Sequence, residues 1–238
     1  MGTVLHKAAT RGIAEHGWLS SRHTFSFAEY YDPSRMHFGA LRVLNDDRVA
    51  GGMGFGRHPH DNMEIISIPL EGDLEHQDSM GNVAVIRNGD VQVMSAGTGI
   101  QHSEKNKNHD KVVRFLQIWV FPNKRNVQPR YGQLTLDVSQ RHNRFQQIIS
   151  PNEHDEGLWI HQNAWFHLGK FDAGVAATYD LKDKTNGVYV FVIKGSVTVN
   201  GIDLDERDGL GVEEAEQLAF TAKSAGTEVL LMEVPMIH

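Results

Sequence analysis

The stretch "PLEGDLEHQDSMGNVAVIRNGD", residues 69–90, returns in outline as "VIKGSVTVNGIDLDERDGLGV", residues 192–212. In each copy an apolar run ends at a glycine (Gly72, Gly195) and a second run reaches another (Gly81, Gly201). A third glycine follows eight residues on (Gly89, Gly209). Glycine adopts φ > 0 without a Cβ clash, so glycines at such intervals mark hairpin corners. The repeat predicts a duplicated β-barrel.

Working outward, "MEIISIPLEG", "VQVMSAG", "VVRFLQIWVFP", "GVYVFVIKG" and "EVLLMEVP" are rich in Ile, Val and aromatics and bounded by Gly, Asn, Asp or Pro. These are strand signatures, and helical periodicity is scarce. Turn signals about every ten residues favour a sandwich or barrel over alternating α/β units. The expectation is an all-β chain. "NVQPRYGQLTLDVSQRHNRFQQIISPNEHDEG", residues 126–157, turns polar and places a boundary there, dividing an N-terminal unit 1–138 from a C-terminal unit 139–238.

Composition narrows the function. At 238 residues the chain is long for one compact domain and short for three, and 40% hydrophobic residues suffice for a core. A formal charge of −7 with scattered basic residues argues against a nucleic-acid-binding face. No apolar run reaches the length of a membrane span, and the charged start "MGTVLHKAATRGIAEHGW" lacks the apolar core of a signal peptide, so a cytoplasmic location is expected. With no cysteine, thiolate catalysis and zinc–thiolate sites are excluded. Any metal must be held by imidazole or oxygen donors.

Two short motifs supply such donors. In "GGMGFGRHPHDNMEIISIPLEG", His58 and His60 are two apart, and on a strand they share a face. In "GIQHSEKN", residues 99–106, His102 and Glu104 repeat that spacing. Two hairpins can return the second pair to the first, bringing three imidazoles and a carboxylate together. Such a set suits Fe, Mn, Ni, Cu or Zn and leaves positions open for water, O₂ or substrate. Glu64 has the same parity as His60 and competes with Glu104; spacing does not decide between them. The other histidines, His238 among them, form no second pair and read as ordinary surface or core residues. In "RHTFSF" and "MHFG", His23, Phe25, Phe27, His37 and Phe38 read as core packing before pocket wall, as does Met94.

"GRHPHDNMEIISIPLEG" followed by "GDVQVMSAGTGIQHSEKN" resembles the two motifs of the cupin superfamily, and specifically the pirin family of bicupins. "WLSSRHTFSFAEYYDPSRMHFGALRVLNDDRVAGG", "EHQDSMGN" and "QIWVFP" extend the resemblance through the N-terminal half. It implies two tandem cupin (double-stranded β-helix, jelly-roll) barrels, with metal ligands His58, His60, His102 and Glu104 in the first. The second half has neither HxH nor HxE and is expected to be a degenerate, metal-free barrel. The resemblance further implies a quercetin 2,3-dioxygenase that opens flavonols with O₂ and releases carbon monoxide. Its cofactor would be one divalent metal, iron first, with Mn, Ni, Co, Cu or Zn as alternatives, and Glu104 would serve as ligand and general base. The family's other implied role is a metal-dependent co-regulator acting through protein contacts, and a cupin enzyme on another small molecule is a third. Because duplication gives one chain both barrels, a monomer is expected.

Overall fold

The structure, a computed structural model, describes residues 2–237; His238 lies outside them. Two barrels of mainly antiparallel strands stand side by side, each built from a seven-stranded and a four-stranded sheet, with a parallel pair between Phe145–Ser150 and Leu158–Trp159. Among the described residues the helices are single 3-10 turns at Ala8–Thr10 and Val138–Arg141.

The hydrophobic period of each strand tells which layer it occupies. Central strands of the seven-stranded sheets, such as Glu64–Glu71 and Asn186–Lys194, are buried on both faces, because one face looks into its own barrel and the other meets the neighbouring barrel. In the four-stranded sheets, Gln217–Ala222 and Ile100–Asn106 alternate between buried and more exposed positions, one face in water.

In Asn186–Lys194, Val188, Val190 and Val192 fill the C-terminal barrel, whereas Tyr189, Phe191 and Ile193 enter a core shared by both barrels. In Val113–Val120, Leu116, Ile118 and Val120 enter that shared core from the other side. The odd positions Phe115, Gln117 and Trp119 point into the N-terminal barrel. The two interiors differ in content. Fifteen buried side chains, mostly Val and Leu, pack the C-terminal one. The N-terminal interior has a smaller cluster around Leu74, Ile86 and Phe115, and beside it a cavity lined partly by polar groups.

Each barrel is made from one half of the chain with one exchange. Gly2–His6 pairs with Gly209–Glu213 at the edge of the C-terminal seven-stranded sheet. His6 Nδ1 lies 2.8 Å from the Tyr189 hydroxyl, and the Ala8 amide donates to Asp208 at 2.8 Å. A single cut at 138/139 therefore does not separate the two sheets.

The duplicated glycines are two-thirds genuine. Gly72, Gly81, Gly195 and Gly201 all have positive φ. Gly89 does too, at 98°, but Gly209 does not, and Arg207 takes the left-handed position at 69°. The turn-closing aspartates confirm this register: Asp90 accepts from the Arg87 amide and Asp208 from the Asp205 amide, both at 2.9 Å. The second corner is thus two residues shorter, and the eight-residue match of Gly209 is coincidental. Gly209 is small for another reason, since a Cβ there would meet the Tyr189 hydroxyl at 2.2 Å.

Candidate metal centre

The strands Gly54–His60 and Ile100–Asn106 are antiparallel neighbours in the outer sheet of the N-terminal barrel. Their register sets His102 opposite His58 and Ile100 opposite His60, while Pro59 faces Gln101 on the solvent side. Cross-strand pairing thus closes the forty-residue gap between the motifs. The Nε2 atoms of His58 and His60 lie 2.9 and 3.0 Å from Nε2 of His102. All three donor nitrogens fall within 4.8 Å of one another.

These nitrogens are metal donors by chemistry as well as position. His58 Nδ1 is 2.7 Å from the Gly56 carbonyl. A carbonyl only accepts, so Nδ1 carries the hydrogen and Nε2 of the neutral ring presents its lone pair. Burial pulls the His60 pKa down to about 4, helped by His58. Burial, together with the His58, His60 and His76 rings, pulls His102 down to about 2. Neutral imidazoles facing lone pair to lone pair satisfy one another poorly but satisfy a cation well. Nitrogens about 2.1 Å from one ion and at right angles stand about 3.0 Å apart, close to the two short edges seen here. The donor set fits a divalent transition-metal ion.

Glu104 lies on the same face of its strand as His102 and is buried. Gln117 Nε2 donates to its Oε2 at 2.7 Å and the Ser67 hydroxyl to its Oε1 at 3.4 Å. Burial raises its pKa, opposed by these donors and by the nearby histidines. Glu64 is equally buried but elsewhere. It accepts from the Ser95 hydroxyl at 2.7 Å near Arg130 and is not among the cavity-lining residues. Counting parity from His60 fails for Glu64 because the turn at Asn62, φ 44°, carries the chain into the other sheet. The three-nitrogen cluster does not include either carboxylate.

A cavity of about 480 Å³ opens beside the cluster, bounded by His58, His60 and Glu104. Trp18, Leu19, Phe27, Phe55 and Trp119 supply apolar wall. The Trp119 ring stands edge-on to His60 at 5.0 Å. Polar groups enter from three adjacent strands: Ser21 and His23, Asn45 and Asp47, and Gln117. The N-terminal aromatics divide between roles: Phe25 and Phe38 belong to the shared core, whereas His23 and Phe27 line the cavity. Met94 packs with Ile65, Ala96 and Ile100.

Sequence reasoning missed His76, Asn45 and Asp47. His76 is fully buried with its ring 5.3 Å from that of His102, and its Nε2 lies 2.9 Å from Asp78. The spacing of His76 and Asp78 repeats the two-residue rule of the other motifs. Asn45 and Asp47 sit at inward positions of Leu41–Val49, and polar residues on the buried parity of a strand were the available signal.

Two tandem jelly-roll barrels, the first with a histidine cluster beside a cavity, define a two-barrel cupin. Residues 5–120 match the family model for pirin, and residues 147–234 match that of the quercetinase C-terminal cupin domain. The chain is 42% identical over 233 residues to a quercetin 2,3-dioxygenase of Escherichia coli K12, covering 98% of this chain and 99% of the relative. It is 40% identical to a pirin-like protein of Caulobacter vibrioides, covering 92% and 94%. Among solved structures, the bacterial pirin YhhW of Escherichia coli in complex with nickel(II) superposes with a TM-score of 0.93 at 41% identity, covering 99% of this chain and all of that one. The chain belongs to the pirin family.

Proposed function

We propose that this protein is a metal-dependent dioxygenase of the pirin type, cleaving flavonols such as quercetin with O₂ and releasing carbon monoxide. The observation that carries this reading is three converging imidazole nitrogens at the edge of an aromatic-walled cavity large enough for a fused-ring ligand. Relatives named quercetin 2,3-dioxygenase and the nickel-bound relative support it.

His58, His60, His102 and Glu104 would hold one divalent transition metal, in an N-terminal cupin unit drawn from 1–138 whose first strand joins the other barrel. The 139–238 unit, whose interior is filled by apolar side chains, serves as scaffold. When bound, the ion supplies Lewis acidity for a deprotonated ligand oxygen and a redox-capable centre for O₂. The chain's own residues do the rest. The Trp18, Phe27, Phe55 and Trp119 walls hold the rings and exclude water. Glu104 accepts the proton of the ligand's 3-hydroxyl, while Gln117 anchors its Oε2 and so keeps the carboxylate aimed at the cavity. No described helix is long and apolar enough to cross a membrane. A cytoplasmic monomer without direct nucleic-acid contacts completes the proposal.

The test is incubation of metal-defined protein with quercetin under air, following flavonol absorbance and carbon monoxide. Turnover with at least one of Fe, Mn, Ni, Co or Cu is expected. No turnover with any of them would replace the enzyme reading by that of a metal-binding regulator.

A further inference from the structure

The histidines occupy one side of the cavity; a second set of polar groups occupies another, and of these Gln117 alone is tied to a candidate metal ligand, through its bond to Glu104. Three strands in register build that set. Ser21 pairs with Asp47, His23 with Asn45, and Asn45 with Gln117. All five side chains line the cavity. Their positions would ordinarily be Val or Leu, as in the neighbouring row Leu19, Val49 and Val113, which is apolar.

Their hydrogen bonding is incomplete. Asn45 Oδ1 and His23 Nδ1 are buried without a partner, on side chains 2% and 3% exposed. Asp47 is buried, and the Ser21 hydroxyl is the donor to its Oδ1. A buried polar atom left unpaired is costly, so an amide oxygen and an imidazole nitrogen beside a carboxyl group in one cavity call for an occupant. The charges also constrain it. Burial pushes Asp47 up to about 7, with Glu104 and Asp46 adding to the rise and Ser21 opposing it. Burial pulls His23 down to about 4, leaving its ring neutral. With a carboxyl group, an amide oxygen and a neutral imidazole, the strip suits hydroxyl groups and rejects an anion.

The strip stands clear of the metal cluster. Gln117 separates the two, since it pairs across strands with Asn45 and donates to Glu104. Asn45 therefore lies one strand spacing, about 5 Å, from Gln117, on the side of Val113–Val120 away from Glu64–Glu71, and reaches Glu104 only through the Gln117 side chain. We propose that Asn45 and Asp47, with His23, form a second subsite that binds a hydroxyl group remote from the metal-bound end of the ligand, selecting polyhydroxylated aromatic substrates. This rests on the flavonol reading above and specifies the ligand class more narrowly.

The test is anaerobic titration of the metal-loaded protein, read by tryptophan fluorescence, with quercetin and with 3-hydroxyflavone, which keeps the chelating hydroxyl and lacks the rest. Wild-type protein should prefer quercetin by about tenfold or more, the worth of one or two hydrogen bonds to buried groups. Asn45→Leu and Asp47→Leu should bring the ratio close to one while leaving metal content and 3-hydroxyflavone affinity unchanged, and Asp47→Asn should keep most of the preference. Retained preference in both leucine variants, or none in the wild type, overturns the subsite. If neither flavonol binds the wild type, the flavonol reading falls and this ligand class with it.

Discussion

Glu64 and Glu104 are both fully buried carboxylates of the same apparent parity, and only their neighbours distinguish them. Glu104 borders the cavity with His58 and His60; Glu64 answers to Ser95 and Arg130. Glu104→Ala is expected to weaken metal binding by at least about tenfold, and Glu64→Ala to cost stability with metal occupancy largely kept. Metal analysis after gel filtration reads the difference, and the opposite ranking would hand the fourth position to Glu64. Glu104→Gln separates ligand from base: metal retained with turnover lost supports the base role, whereas full activity removes it. A residue-scale pH dependence follows from His167. Burial lowers its pKa to about 3, with Lys182 contributing. The unfolded imidazole titrates near 6.5, so the unfolded state binds the proton first. Stability is then present above about pH 6.5 and is lost as pH falls towards 3, by up to about 1.4 kcal/mol per pH unit. His167→Phe should flatten this acid limb in urea melts at stepped pH. An unchanged slope would assign it to other groups.

At the scale of strands, the centre depends on how closely Gly54–His60 approaches Ile100–Asn106. A Cβ on Gly54 would lie 2.2 Å from the Glu104 carbonyl oxygen, whereas one on Gly56 would meet nothing within 4 Å. Gly54→Ala should therefore push the strands apart, cost about 1–3 kcal/mol and reduce metal retention, with Gly56→Ala near neutral in both. Equal behaviour of the two variants in thermal melts and metal analysis would contradict this account. The same scale explains what could be read in advance. Strands that keep apolar runs around isolated polar residues, such as Val113–Val120 and Thr227–Pro235, were legible. Leu41–Val49 was not, because Asn45, Asp46 and Asp47 break its pattern. Two of those three polar residues face the cavity, so the break in pattern was itself the trace of the site.

For the whole molecule, stability rests on the core between the barrels. Phe38 reaches from the N-terminal half onto the C-terminal sheet, where its ring lies 5.5 Å from that of Tyr189 and against Gly187 and Gly211. A Cβ on Gly211 would come within 2.5 Å of that ring. Phe38→Ala is expected to cost about 3–5 kcal/mol and to lower one cooperative transition by calorimetry. A loss below about 1 kcal/mol would mean that the barrels are stable apart. By itself the sequence determined the all-β class, the duplication and the three histidines, since alternation, turn glycines and two-residue spacing are local rules that survive without coordinates. Tertiary structure alone decided which strands are neighbours, and hence that His102 faces His58, that Glu64 belongs to another sheet and that the first strand completes the second barrel. It also decided that one interior is filled while the other keeps a cavity. These are non-local outcomes: parity is lost at every turn, and packing depends on the sum of side chains that distant segments bring to one place.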